Sequence, residues 1–241
     1  MKPHPHRPPS SDKTLDRYAT FLATPYTADD GKVRQPASTK FIKALRDVQA
    51  EHHAGRDLEA CLLGQAAGFN GKVWFWSDLH LFHTNVIAYC DRPFATADEM
   101  NDTMLRNYKA IVRDEDVVVF GGDITMGGAT ATNELLRQLP GYKINILGNH
   151  DVERKGKRLH LAIDEVVAYL ELTVGGQSIL LTHYPVGELV LLPGQINIHG
   201  HIHTNALHPS LGSGARHINM SVENTGYSPV SLDKLLQSAG R

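Results

Sequence analysis

The spacing of apolar residues changes character near residue 70. Upstream it is helical: Phe41, Ile42, Leu45 and Val48 recur at the interval of one helix face. Helices are predicted over 15–22 and 39–53, separated by a polar stretch at 27–38, with a third short helix over 57–66. Downstream, short runs rich in Val, Ile, Leu and aromatic residues alternate with helical patterns, as in a layered α/β fold. Strands are predicted over 73–76, 116–120, 142–147, 178–181 and 195–198, and each runs straight into a polar motif. Thr96-Ala97-Asp98-Glu99 reads as a capping box that opens a helix to residue 112. Met100, Met104, Tyr108, Ile111 and Val112 share one face of it. A helix over 131–139 stops at Pro140-Gly141. Segments 169–174 and 177–181 flank Gly175-Gly176 as a hairpin, 216–222 reads as a late strand, and 231–238 as a closing helix.

Composition narrows the class. The 241 residues suffice for one sizeable core, and 41% hydrophobic with 21% charged residues is ordinary for a globular domain. A net charge of −2 argues against a general nucleic-acid binder, which shows a basic face. The local exception, Arg154-Lys155-Gly156-Lys157-Arg158, is read as a solvated loop or helix start. Two cysteines, Cys61 and Cys90, make neither a disulfide framework nor a zinc ribbon, which points to a reducing cytosol. The opening nine residues have no apolar h-region. No run reaches the roughly 20 apolar residues that cross a bilayer, so a soluble cytoplasmic protein with no membrane partner is expected. Of fourteen histidines, His4, His6, His52, His53, His160 and His208 are read as surface residues.

The remaining chemistry sits in five motifs: Asp78-Leu79-His80, Gly122-Asp123, Gly148-Asn149-His150-Asp151, His183 and Gly200-His201-Ile202-His203. In an extended chain, side chains at i and i+2 point the same way. Asp78 and His80 are therefore expected to face one ion with Leu79 turned to the core, and the same geometry is expected to place His201 and His203 on one side of the chain with Ile202 opposite. Asp123 is the only other isolated carboxylate among these motifs. It is the expected bridge between two cations roughly 3.5–4 Å apart, whose repulsion a shared anion offsets. Gly122, Gly148 and Gly200 are expected where the chain turns sharply before a donor. Imidazole, carboxylate and amide donors without sulfur suit Mn, Fe, Zn, Co or Ni rather than Ca.

The order and types of these residues resemble the calcineurin-like metallophosphoesterases, whose pattern is D-x-H, G-D, G-N-H-[DE], H, G-H-x-H. The likeness is complete at every ligand position and runs from residue 72 to 220. It implies an α/β (α+β) fold, a four-layer αββα sandwich of two mixed β-sheets flanked by helices. The expected organisation is a disordered tail over 1–14, an N-terminal helical extension over 15–70 packed on the core, and a catalytic domain over 71–241. The resemblance also implies two divalent transition-metal ions, one held by Asp78, His80, Asp123 and His203, the other by Asp123, Asn149, His183 and His201. The implied reaction is hydrolysis of a phosphoester by in-line attack of a water between the two ions. His150 is expected to serve the leaving oxygen, and Asp151 to hold the His150 tautomer.

Arg92 reads either as a fork that grips a substrate phosphate or as a structural ion pair. His83 divides the same way, and Asn85 stands beside it. Tyr184 is read as a core or rim aromatic, with base stacking the alternative. The expected substrate is a small phosphorylated molecule or nucleotide, as a phosphodiester or phosphomonoester. Two alternatives stand beside it: a nuclease acting on polynucleotide ends, and a scaffold of the same fold without catalysis. The neutral overall charge disfavours a polynucleotide partner, and the intact donor set disfavours the scaffold.

Overall fold

The computed structural model describes residues 13–27, 32–51, 57–153 and 155–238. The expected tail up to residue 12, His4, His6, His52, His53 and Arg154 lie outside the described residues. The described residues open with helix α1 (Lys13–Ala23), whose start lies two residues before the expected boundary. A two-stranded antiparallel ribbon of β1 (Tyr26–Thr27) and β2 (Val33–Arg34) falls in the polar stretch. Next come α2 (Thr39–Glu51) and α3 (Leu58–Leu62), the latter capped by Asp57, whose carboxylate accepts the Ala60 N–H at 2.9 Å.

Strand β3 (Val73–Trp76) is followed by α4 (Thr84–Tyr89), α5 (Ala97–Ile111), β4 (Val117–Phe120), α6 (Ala129–Leu136), β5 (Tyr142–Ile146) and β6 (Glu165–Val167). The hairpin β7 (Leu170–Val174) and β8 (Gln177–Thr182) turns on Gly175 and Gly176, both at positive φ as such two-residue turns require. The chain ends through β9 (Ile196–His199), β10 (His217–Asn219), α7 (Val222–Thr225), β11 (Val230–Ser231) and α8 (Leu232–Ser238). The expected late strand over 216–222 is thus cut to three residues. Asn219 accepts the Ser221 N–H at 3.0 Å, and the chain turns into α7. The elements not predicted, β1, β2, α4, β6, α7 and β11, are all short, six residues at most, and carry too little pattern to read from sequence.

Two mixed sheets result. One has the order β11-β3-β4-β5-β6, with β3 to β6 parallel and β11 antiparallel. The other has the order β10-β9-β8-β7, parallel except for the hairpin. Strand alternation assigns each side chain to a layer. Val73, Phe75, Val117, Val119, Ile144 and Ile146 from the first sheet meet Leu172, Ile179, Leu181, Ile196 and Ile198 from the second. On the other face of the first sheet, Trp76, Val118 and Phe120 pack under Met100, Met104 and Tyr108 of α5.

The outer face of the second sheet is covered from the N-terminal side. Leu15, Tyr18 and Leu22 of α1 and Phe41, Leu45 and Val48 of α2 share a buried cluster with Leu180, Leu147, Ala168, Tyr184 and Val186. These two helices supply the fourth layer. Among the described residues no helix is long and apolar enough to cross a membrane.

If α1 and α2 are integral to the sandwich, Phe41→Ala removes a ring that is 1% exposed. The expected loss is about 3–5 kcal/mol of stability, read as a lower urea midpoint. A loosely docked arm would change stability by less than about 0.5 kcal/mol.

Candidate metal centre

Strands β3 and β4 end in register, Trp76 opposite Phe120. Beyond them the pairing continues into the loops: the N–H groups of Asp78, His80 and Leu81 donate to the carbonyls of Gly122, Asp123 and Ile124 at 3.0–3.1 Å. That backbone zip fixes Asp78 and His80 beside Asp123. In the second sheet Thr182 lies opposite His199, and Gly200 N–H donates to His183 O at 3.0 Å, which sets His183 beside His201. The sheets are tied together at this end. His201 N–H donates to both Asp78 carboxylate oxygens at 2.9 and 3.0 Å, and His183 Nδ1 meets Gly121 O at 2.8 Å. A carbonyl only accepts, so His183 Nδ1 carries hydrogen and its Nε2 faces inward.

Asp123 sits between two groups of side chains. Its Oδ2 is 3.6 Å from His80 Nε2, 3.3 Å from His183 Nε2 and 4.0 Å from His150 Nε2. On one side Asp78, His80 and His203 bring donor atoms within 4.8 Å of one another, and on the other side Asp123, His183 and His201 do the same. Asn149 Oδ1 lies 3.0 Å from His183 Nε2 and joins the second group. Both ring nitrogens of His80 are buried with no hydrogen-bond partner. A buried imidazole with two orphaned nitrogens is costly unless something else engages them, so the donor set fits divalent cations.

The convergence does not come from extended backbone, which corrects the i, i+2 expectation. Asp78, His80, Asp123, His201 and His203 all have positive φ, between 50° and 69°. Each such turn costs about 1–2 kcal/mol in a residue with a Cβ, and strain of this kind gathers at functional sites. The glycine expectation is also revised. Gly122 does need its φ of +95°. Gly148 and Gly200 are required by close approach instead: a Cβ would lie 2.3 Å from Asp123 Oδ1 at the first and 2.2 Å from Asp78 Oδ2 at the second.

Burial and mutual charge set the electrostatics. Burial pushes Asp123 up, but the adjacent His183, with His80 and His150, takes it well below the usual carboxylate range. Burial and the Asp123 charge leave Asp78 raised, although His183, His203 and the Ser77 hydroxyl oppose them. Burial pushes His80 down to about 2 and His201 down to about 3. Burial also opposes charge on His183, yet Asp123 and Asp78 lift it to about 9.

Three predicted roles meet different surroundings. Asp151 is 2% exposed, and its carboxylate accepts the N–H groups of Asp123, Ile124 and Gly148 and the Asn145 amide at 2.9–3.1 Å. It holds the loop backbone and makes no hydrogen bond to the His150 ring among the described residues, which corrects its expected role as orienter of that tautomer. Arg92, 3% exposed, donates to Leu79 O and Asp78 O at 2.8 Å and pairs with Glu223 at 2.7 Å. Its fork is spent on the protein, so the structural ion pair replaces the phosphate grip. His83 stands at the residue preceding α4, without a side-chain capping bond, its ring 5.4 Å from that of His80 at the edge of the site. His150 is the outermost member, its side chain 39% exposed and its ring 5.1 Å from His80. The Tyr184 ring lies 3.8 Å from that of His201 and is 8% exposed, a core aromatic that braces a donor.

Sequence reading missed Glu223, which meets His203 Nδ1 at 2.9 Å. It also missed Ser77 and Ser221, whose hydroxyls donate to Asp78 Oδ2 at 2.6 and 2.9 Å. No local motif marks them, since each is an ordinary polar residue until the fold folds it inward.

Known proteins resemble this chain in sequence and in fold. The model of the calcineurin-like phosphoesterase family matches residues 71–238. "Uncharacterized protein MJ1445" of Methanocaldococcus jannaschii is 37% identical over 170 residues, 69% of this chain and 90% of its own length. "Gene 66 protein" of Mycobacterium phage D29 is 32% identical over 180 residues, 63% of this chain and 88% of its own. Among solved structures, the protein of unknown function AQ665 from Aquifex aeolicus superposes with a TM-score of 0.55 at 28% identity, over 70% of this chain and 100% of that one. With its family pattern spanning the two-sheet core and all five motifs, this chain belongs to the calcineurin-like phosphoesterases.

Proposed function

We propose that the protein is a metal-dependent hydrolase of phosphoester bonds. The observation that carries the reading is the pair of donor groups around Asp123, with both buried His80 nitrogens lacking a hydrogen-bond partner among the described residues. Asp78, His80, Asp123 and His203 would hold one ion, and Asp123, Asn149, His183 and His201 the second. When bound, two such ions polarise phosphoryl oxygens, counter charge in the transition state and lower the pKa of water. The nitrogen, oxygen and amide donors support Mn, Fe, Zn, Co or Ni, and two buried cysteines outside any disulfide support a cytoplasmic setting.

The chain's own groups do the rest. Glu223 accepts from His203 Nδ1, which would leave the Nε2 lone pair available to hold an ion. Arg92 fixes that carboxylate and ties down the Asp78-Leu79 backbone. Asp151 holds the loop that carries Asn149 and His150. His150, at the mouth of the site, donates a proton to the leaving oxygen. His83 is the remaining polar group at that rim and a contact for the substrate.

Asp123→Asn is expected to deplete both ions after dialysis, measured by elemental analysis, and to abolish turnover of bis-p-nitrophenyl phosphate. Full metal content with full turnover sinks the bridging role. His150→Ala is expected to lower kcat by about 100-fold or more with metal content retained; metal loss equal to that of His183→Ala would make His150 a ligand. Glu223→Gln should weaken metal affinity about 10–100-fold, as losing an imidazole's partner typically does. Unchanged affinity would show that Glu223 serves only to neutralise Arg92.

A further inference from the structure

The residues after His150 and Asp151 form a small basic hairpin rooted in the metal-type motif. Val152 pairs antiparallel with Arg158, Glu153 N–H donates to Lys157 O at 2.7 Å, and Leu159 N–H donates to Asp151 O at 2.7 Å. Its turn, at Gly156 with φ +78°, rests against the stem of Lys40 on α2. Between hairpin and helix lies a cleft of about 390 Å³, the size of an ordinary ligand site. Residues 155–158 are therefore more than the solvated loop that their sequence suggests.

The lining is strongly cationic. Lys43, Lys155, Lys157 and Arg158 face it, with His160, against the single carboxylate of Asp47. Asp47 is already paired with Lys43. Lys155 and Lys157 are exposed and have no ion-pair partner among the described residues. Among the described residues no Phe, Tyr or Trp lines the cleft, so their side chains offer charge without a stacking surface. None of the seven candidate metal ligands lines it either, so it is a second site, joined to the metal-type motif through the hairpin that starts at Asp151. A ligand engaging both must be elongated and carry negative charge along its length.

We propose that this cleft is a phosphate-backbone track for a single-stranded polynucleotide leading to or from the metal centre. Cations without aromatic platforms contact phosphates and leave bases unread, so binding there is sequence-independent. A duplex is too wide to enter a cleft of this size. The proposal rests on the phosphohydrolase reading only for what happens to the strand, not for its binding. Overall charge hides such a track: the chain's net −2 sums over a surface on which the cations are locally concentrated.

The test is fluorescence anisotropy of a labelled single-stranded oligonucleotide of about 12 nucleotides, within the usual site sizes, with full-length protein in EDTA. EDTA removes metal, so failure of turnover on bis-p-nitrophenyl phosphate and failure of this binding are separate results. Lys155→Glu/Lys157→Glu should weaken binding about tenfold or more and reduce the slope of log affinity against log salt by roughly 0.7 per lysine. Lys155→Arg/Lys157→Arg should retain both affinity and slope. Unchanged affinity and slope in the glutamate variant would overturn the proposal. So would inorganic polyphosphate that competes as well as an oligonucleotide with the same number of phosphates. If the double variant fails to fold, Lys155→Glu and Lys157→Glu singly are read by the same criteria.

Discussion

A carboxylate sealed from water must be compensated by the groups around it, and the architecture at the strand ends is arranged around one such group. Asp123 is 2% exposed, and its Oδ1 takes the His150 N–H at 2.8 Å while its Oδ2 faces imidazoles from both sheets. The parallel register of β3 and β4 delivers it beside Asp78 and His80. The register of β8 and β9 delivers His183 and His201 to its other side. Neither sheet alone could build this neighbourhood. The apolar layer of Phe75, Val119, Ile144, Ile179 and Ile198 clamps the sheets face to face, and the charged groups meet at its edge.

The fold stores strain at that edge. Five of the seven candidate donors occupy left-handed backbone, a conformation that L-residues avoid unless the surroundings over-determine it. The surroundings do so through the backbone zip between the two loops, the Asp151 carboxylate with its four donors, and the Arg92 fork holding two carbonyls. Glycines at 148 and 200 leave room for Asp123 and Asp78 to press against neighbouring backbone. Two residues picked out for chemistry, Asp151 and Arg92, thus act as braces for the residues next to them.

The N-terminal helices change the meaning of the family boundary. The family match begins at residue 71, yet Tyr18, Phe41 and Leu45 lie at 0–1% exposure against the second sheet. Tyr18 OH accepts the Tyr184 N–H at 3.2 Å, and Tyr184 in turn lies against His201. The same α2 forms one wall of the basic cleft. One helix pair therefore closes the sandwich, braces a donor and shapes a charged surface.

The five donor motifs, the strands that precede them and the two long helices α2 and α5 could be read from the chain. Each is written in contiguous residues: an apolar run, a capping Thr96, a Gly-His-x-His. Periodicity reports which residues share a face, and short-range spacing reports donor type. Contacts between distant segments leave no such mark. That Glu223 meets His203, that Arg92 spends its fork on Glu223 and the Asp78-Leu79 carbonyls, and that Asp151 serves the Asp123-Ile124 backbone rather than His150 all depend on segments 13 to 131 residues apart in order. So does the cleft, because Lys43 and Lys157 become neighbours only when α2 docks on the second sheet. The sequence determined which atoms could bind a cation. Packing decided which of them face one another, because hydrogen-bond geometry and burial are properties of positions in space.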